Sequence, residues 1–256
     1  MDVVVGDRVR LHLERDLYVI EQVEPRQNLL YRSDASRVKP LAANIDQLAV
    51  VFAPQPTPQE EFLWRALIAA ESAGVRPLVI RNKSDLASAD ADVMAATLQR
   101  LDTRVLVTST YDQPQASRHA LMPYFARQRT LFVGQSGMGK SSLMNLLLQT
   151  DLRTGELTRR GTHGRQTTTA THWLDLPGGG ALIDSPGFLA FGLAHLTPAQ
   201  VRDAMPDLRA VTSPCRFANC RHDREPDCAV RAAVTAGSLS PERYAFYLRL
   251  VAELGA

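Results

Sequence analysis

The chain has 256 residues, with 29 Lys plus Arg against 27 Asp plus Glu, 45% hydrophobic and 22% charged. That size and balance predict one ordinary core with one or two small satellites, and a net charge of +2 neither demands nor excludes a nucleic-acid partner. No apolar run approaches the ~20 residues that cross a bilayer, and MDVVVGDRVR lacks the positive and apolar regions of a signal peptide, so a cytoplasmic protein is expected.

Residues 1–53 read as short strands forming a small barrel or curled sheet. VVVGDRVRLHL and DLYVIEQV are β-branched and separated by charged turns, and NIDQLAVVFA is a third strand candidate. APQPTPQEE reads as a linker ending in a helix start, with Thr57 as cap and Pro58 in the first turn. From residue 54 to 208 helices and strands alternate. EEFLWRALIAAESAG has helical apolar spacing, RPLVI is a buried strand, 88–101 is helical, RVLVTS is a strand and PQASRHALMPYFA is partly helical. RTLFVG and KSSLMNLLLQ follow as strand and helix, then THWLDL and GALIDS as two strands joined by PGGG. This rhythm predicts an α/β fold, a mostly parallel sheet covered by helices. The segment 209–256 reads as short helices around a cysteine cluster, closed by the amphipathic helix PERYAFYLRLVAEL. No coiled-coil heptad or interface stripe is present, so a monomer is expected.

Gly134-Gln135-Ser136-Gly137-Met138-Gly139-Lys140-Ser141 matches the phosphate-loop pattern G-x-x-x-x-G-K-[ST], with a strand before it and a helix after it. Its glycines turn backbone N–H groups toward phosphate oxygens, and the helix N-terminus adds free donors. Lys140 is expected to reach the β- and γ-phosphates as a catalytic charge and Ser141 to bind Mg²⁺. Gly134, Ser136, Gly137, Gly139 and Ser142 complete the candidate nucleotide contacts of the loop.

Asn82-Lys83-Ser84-Asp85 matches N-K-x-D directly after an apolar strand. Asp85 is expected to accept hydrogen bonds from the guanine N1–H and exocyclic amine. A buried carboxylate left unpaired against adenine would cost about several kcal/mol. Asn82 steadies the loop, and the Lys83 stem packs over the base. Ser109 closes the next strand, where a serine-alanine motif often backs the base, although the local match is poor. The order is reversed relative to most GTPases: the base motif comes about fifty residues before the phosphate loop. A circular permutation explains this without changing the site.

Asp184-Ser185-Pro186-Gly187 resembles the D-x-P-G switch. Asp184 is expected to hold Mg²⁺ through water, and the Gly187 N–H to sense the γ-phosphate. Upstream, Gly164-Arg165-Gln166-Thr167-Thr168-Thr169 is the other switch candidate, with Thr168 favoured over Thr167 as ligand to Mg²⁺ and γ-phosphate. Phe188 stands where some GTPases carry a water-positioning glutamine, which predicts slow intrinsic turnover and makes Gln166 a candidate catalytic substitute.

Cys215, Cys220, His222 and Cys228 supply three thiolates and one imidazole, the donor set of a structural tetrahedral Zn²⁺. The metal is expected to supply the local folding free energy, of order 10–16 kcal/mol in small zinc modules. His12, His119, His163, His172 and His195 are isolated and read as surface or packing residues.

Together these motifs, with AANID and EPDCAV, resemble the ribosome small-subunit-dependent GTPase A (RsgA) family over essentially the whole chain. The resemblance implies an N-terminal oligonucleotide-binding (OB-fold-like) barrel, a permuted GTPase domain and a C-terminal zinc module. It implies a factor cycling between GTP and GDP that acts late in small ribosomal subunit assembly, binds the subunit and its rRNA, and is stimulated by it. DNA and membranes are not implied partners. Gln166 stands where the family has a histidine. The N-terminal region looks short, so the barrel is expected to lack a first strand. The competing reading is a GTP-dependent RNA-binding module with little or no hydrolysis. Seven basic residues against eight acidic in 1–50 give it no strong electrostatic footprint.

Overall fold

The N-terminal strands draw on β-branched, aromatic and other apolar residues such as Val9, Tyr18, Val19 and Ile20, broken by a charged turn. Strand β1 (Val9–Glu14) pairs antiparallel with β2 (Leu17–Val23). Between them Arg15 and Asp16 both have positive φ, as a tight two-residue hairpin turn requires. The structure, a computed structural model, describes residues 3–33, 38–150, 171–185 and 190–255. Strands β3 (Leu29–Ser33) and β4 (Val38–Ala43) form a second antiparallel pair, joined much later in the chain by β11 (Ala190–Phe191). Among the described residues this region is therefore two small sheets, with a bridge from Val5 to Ala42.

The third strand candidate of the N-terminal segment does not join these sheets. It forms β5 (Gln47–Phe52), buried at all six positions in the middle of a six-stranded sheet. Leu48, Val50 and Phe52 face one core, and Ala49 and Val51 the other. A strand apolar on both faces is stable only with helices on both sides, so its composition explains its central place.

Around β5 the chain alternates α1 (Glu60–Ser72), β6 (Arg76–Arg81), α2 (Ala89–Arg100), β7 (Val105–Val107), α3 (Pro114–Phe125), β8 (Arg129–Val133) and α4 (Lys140–Leu148). Then come the hairpin β9 (His172–Asp175) and β10 (Ala181–Asp184). The sheet order is β7-β6-β5-β8-β10-β9, parallel except for β9. Residues of α1 and α2 pack on one face; those of α3 and α4 pack on the other.

Helix α1 starts later than the sequence suggests. Its N-cap is Gln59, not Thr57. The Gln59 N–H donates to Gln135 Oε1 of the phosphate loop at 2.8 Å, which holds the start of the helix against that loop.

The C-terminal part contains α5 (Pro198–Asp203), α6 (Pro206–Arg209), α7 (Ala229–Thr235) and α8 (Pro241–Glu253). Thr197 and Gln200 form a capping box on α5, and Ser240 caps α8. Helix α8 buries Phe246, Tyr247 and Leu250 in the core cluster that holds α1, and Phe246 meets Trp64 edge-on at 5.1 Å. Arg243 pairs with Asp207 at 2.8 Å and lies over the Trp64 ring. The terminal helix is thus fastened to the main core and does not depend on the cysteine cluster alone. No helix among the described residues is long and apolar enough to cross a membrane.

Candidate nucleotide site and metal cluster

Three parallel strands deliver the three described motifs to one end of the sheet. The base motif follows β6, the phosphate loop follows β8, and Asp184 ends β10. The C-terminal ends of parallel strands form the crevice where α/β folds bind ligands.

The phosphate loop is shaped by backbone that only glycine adopts cheaply. Gly139 caps α4 with φ 90°, and a Cβ there would overlap Asn82 Nδ2. Gly134 has φ 148°, and a Cβ there would strike the Val51 carbonyl of β5. Lys140 Nζ donates to the carbonyls of Gly134 at 2.6 Å and Gln135 at 3.0 Å, which folds the ammonium over the loop. Burial pushes the Lys140 ammonium below its ordinary range, and the charge of Asp184 pushes back. Burial likewise raises the Asp184 carboxyl, opposed by Lys140 and His172. Each group therefore favours added charge of the opposite sign: anionic phosphate for Lys140, a cation for Asp184. Ser136 and Ser142 are exposed at the loop surface and Ser141 is half-buried.

The base motif is locked onto this loop. Asn82 is fully buried and its Nδ2 donates to the Met138 carbonyl at 3.0 Å. Lys83 Nζ donates to the Gly137 carbonyl at 2.7 Å and the Gln55 carbonyl at 2.8 Å. Its own φ is 56°, a left-handed conformation. The loop after β7 backs the motif: Ser84 N–H donates to the Thr108 carbonyl, and Ser109 Oγ donates to Asp85 Oδ1 at 2.5 Å. Ser109 thus lies beside Asp85 despite the poor local motif. Asp85 itself is exposed, unlike the buried carboxylate of the sequence reading. Its penalty against a wrong base arises once the base covers it. Asn82 Oδ1 and Thr108 Oγ1 are buried without a partner, polar atoms of the kind a bound nucleotide or its water can satisfy.

Sequence reasoning missed two residues here. Ser185, buried after β10, donates to the Phe132 carbonyl of β8 at 2.9 Å and ties the switch strand to the strand that enters the loop. His172 is not isolated: β9 pairs it with Asp184, and its Nε2 is buried without a partner. Strand pairing is the signal that places it there. Gln166 and Thr168 in 151–170, and Gly187 in 186–189, lie outside the described residues.

The four metal-ligand candidates converge. Their ligand atoms all lie within 4.8 Å of one another. His222 Nδ1 is 3.5 Å from Cys215 Sγ and 3.4 Å from Cys228 Sγ, and those two sulfurs are 4.0 Å apart. A tetrahedron with bonds of about 2.3 Å has edges of about 3.8 Å, so the cluster fits one metal ion. Burial, with the neighbouring thiols, pushes the Cys220 thiol up to about 12, a cost that a bound cation removes. The Tyr244 hydroxyl donates to the His222 carbonyl at 2.5 Å and links the cluster to α8.

A doubly covered parallel sheet, a lysine phosphate loop, and an N-K-x-D motif that precedes that loop in sequence but touches it in space define a circularly permuted P-loop GTPase, an enzyme that hydrolyses GTP. A protein-family model described as RsgA GTPase matches residues 23–194, and the chain belongs to the RsgA GTPase family. It is 44% identical to the small ribosomal subunit biogenesis GTPase RsgA of Paraburkholderia phytofirmans, over 98% of this chain and 83% of that protein. The protein of the same description from Ralstonia nicotianae is 42% identical over 97% of this chain and 81% of its own length. Among solved structures, YjeQ from Thermotoga maritima matches with a TM-score of 0.72 and 26% identity, covering 99% of this chain and 85% of that one. YloQ, described as a circularly permuted GTPase, matches at 0.72 and 27%, covering 100% and 82%.

Proposed function

We propose that the chain binds GTP between Asp85 and Lys140, hydrolyses it to GDP and phosphate, and serves as a late assembly factor of the small ribosomal subunit, whose binding stimulates turnover. The observation that carries the nucleotide reading is the pair of bonds from Asn82 and Lys83 to the phosphate-loop carbonyls of Met138 and Gly137. They make base recognition and phosphate binding one rigid unit. The relatives described as small-subunit biogenesis GTPases support the ribosomal role, and a role on that subunit is a cytoplasmic one, exercised by a monomer.

In this reading Asp85 selects guanine, and Asn82, Lys83 and Ser109 hold the base pocket. Backbone N–H groups from Gly134 to Ser142 cradle the phosphates, and Lys140 neutralises charge as it builds on the transferred phosphoryl group. Ser141, Asp184 and Thr168 would hold Mg²⁺, which would supply further charge neutralisation at the phosphate oxygens. Gln166 orients the attacking water through its amide, and the Gly187 N–H senses the γ-phosphate. Zn²⁺ is the ion that best suits Cys215, Cys220, His222 and Cys228.

The partner is the rRNA of the subunit, with the N-terminal sheets and the metal module as contacts. Beside the cysteine cluster, Arg202, Arg209 and Arg216 line a cleft of about 520 Å³, and exposed Phe217 lies 5.4 Å from the Arg216 guanidinium. Arginine beside an exposed ring suits phosphate contact and base stacking.

The test is GTP hydrolysis with and without purified small subunits, comparing wild type with Gln166→His. Stimulated turnover, altered in rate by Gln166→His, supports the reading. Tight GTP binding without turnover under any condition contradicts the enzymatic role.

A further inference from the structure

We propose that Ser117 on α3 is a positioning residue for guanine selectivity, acting on Asp85 through Ser109. The proposal rests on the reading that Asp85 accepts the hydrogen bonds of guanine. Ser117 Oγ makes two bonds to a single residue: it accepts from the Ser109 N–H at 3.1 Å and donates to the Ser109 carbonyl at 2.8 Å. One hydroxyl thereby satisfies both backbone groups of Ser109. Both serines are buried, Ser109 at 3% and Ser117 at 5% exposure, so water cannot replace that hydroxyl without opening the loop.

The Ser109 hydroxyl is equally constrained. It accepts from the Asp112 N–H at 3.0 Å, and its proton goes to Asp85 Oδ1 at 2.5 Å. The relay Ser117–Ser109–Asp85 therefore joins helix α3, the loop after β7 and the base motif. Its end point is a carboxylate exposed to solvent, and the bond from the Ser109 hydroxyl bears directly on its plane. Guanine presents N1–H and the exocyclic amine side by side, and accepting both requires that plane to be set. Loss of the Ser117 hydroxyl leaves two buried backbone groups unpaired, frees the Ser109 loop and lets Asp85 rotate. The exocyclic-amine bond, at the edge of the pair, suffers most.

The readout is the ratio of GDP to IDP affinity in the full-length protein. Hypoxanthine keeps N1–H and lacks the exocyclic amine, so the ratio isolates the bond that depends on the carboxylate plane. Ser117→Ala should weaken GDP about tenfold and IDP by about twofold or less, scaled from the loss of one well-placed hydrogen bond to a charged acceptor. Ser117→Cys, a weaker donor of similar volume, should fall between. A role confined to packing would lower thermal stability and both affinities together, and an unchanged GDP to IDP ratio in both variants overturns the proposal. Asp85→Asn in the same assay separates the two levels. If it shifts preference toward XDP while Ser117→Ala leaves the ratio intact, only the role of Ser117 falls. If it leaves guanine preference untouched, the base reading falls and takes this proposal with it.

Discussion

Asn82 and Met138 stand 56 positions apart in the chain, yet the Asn82 side-chain amide donates to the Met138 carbonyl at 3.0 Å inside the fold. This bond makes the permuted order of the motifs irrelevant to the site, since it fixes the base-reading turn to the phosphate loop whichever comes first.

Removing that bond should be costly. Asn82 is fully buried, so Asn82→Ala leaves the Met138 carbonyl without its donor and opens a small void. We expect a loss of about 2 kcal/mol in unfolding free energy, read by urea denaturation, with GDP affinity reduced by at least about tenfold. An Asn82→Ala protein of wild-type stability and affinity would show that the turn and the loop are held together by other means.

Asp85→Asn should exchange the preferred base. The carboxamide presents one acceptor and one donor, which suits the C2 carbonyl of xanthine and opposes the exocyclic amine of guanine. GTP affinity should fall by about a hundredfold or more and XTP should bind better than GTP, on the scale of two hydrogen bonds to a charged acceptor. Competition between the two nucleotides on the variant decides the matter.

Asp46 gives a pH prediction far from the nucleotide. It receives the Arg129 N–H and two guanidinium bonds, at 2.8, 2.9 and 2.7 Å, where β5 and β8 begin. The Arg129 bonds hold its carboxyl below the ordinary value of 3.8 despite opposing desolvation. A depressed folded value means that the stability is present above the unfolded pKa and is lost as pH falls through the folded one. Asp46→Asn should therefore be less stable than wild type at pH 7 by about 1 kcal/mol, discounted for partial exposure, and the gap should narrow below about pH 4. A gap that stays constant from pH 7 to pH 3 would contradict this.

Metal removal should act locally. Chelation is expected to release one Zn²⁺ per chain, make Cys215, Cys220 and Cys228 reactive to thiol reagents, and lower Tm. Helix α8 should stay docked through Phe246 and Trp64. Thiols fully reactive in the untreated protein, with no metal released, would rule out the assignment.

Much of this was readable in the chain because the chemistry fixes residue types at short spacings. Gly139, Lys140 and Ser141, Asn82 and Asp85, and the Cys/His set each have few substitutes for their task. The placement of β5 was not legible: six buried residues in a row say that both faces are covered, not which strands flank them. Thr57 before Pro58 has the form of a cap, but the helix is capped at Gln59, whose N–H is bonded to Gln135, a contact made across 76 residues. His172 and Ser117 carry no motif, and Ser185 fills the unspecified position of D-x-P-G; their places follow from strand pairing and loop contacts that no local window contains.

The most direct test is a structure of the full-length protein with a non-hydrolysable GTP analogue and Mg²⁺. One nucleotide should span the crevice, its guanine N1–H and amine on the Asp85 carboxylate and its β- and γ-phosphates on Lys140. A nucleotide held at the phosphate loop with its base turned away from Asp85, or bound elsewhere, would contradict the account.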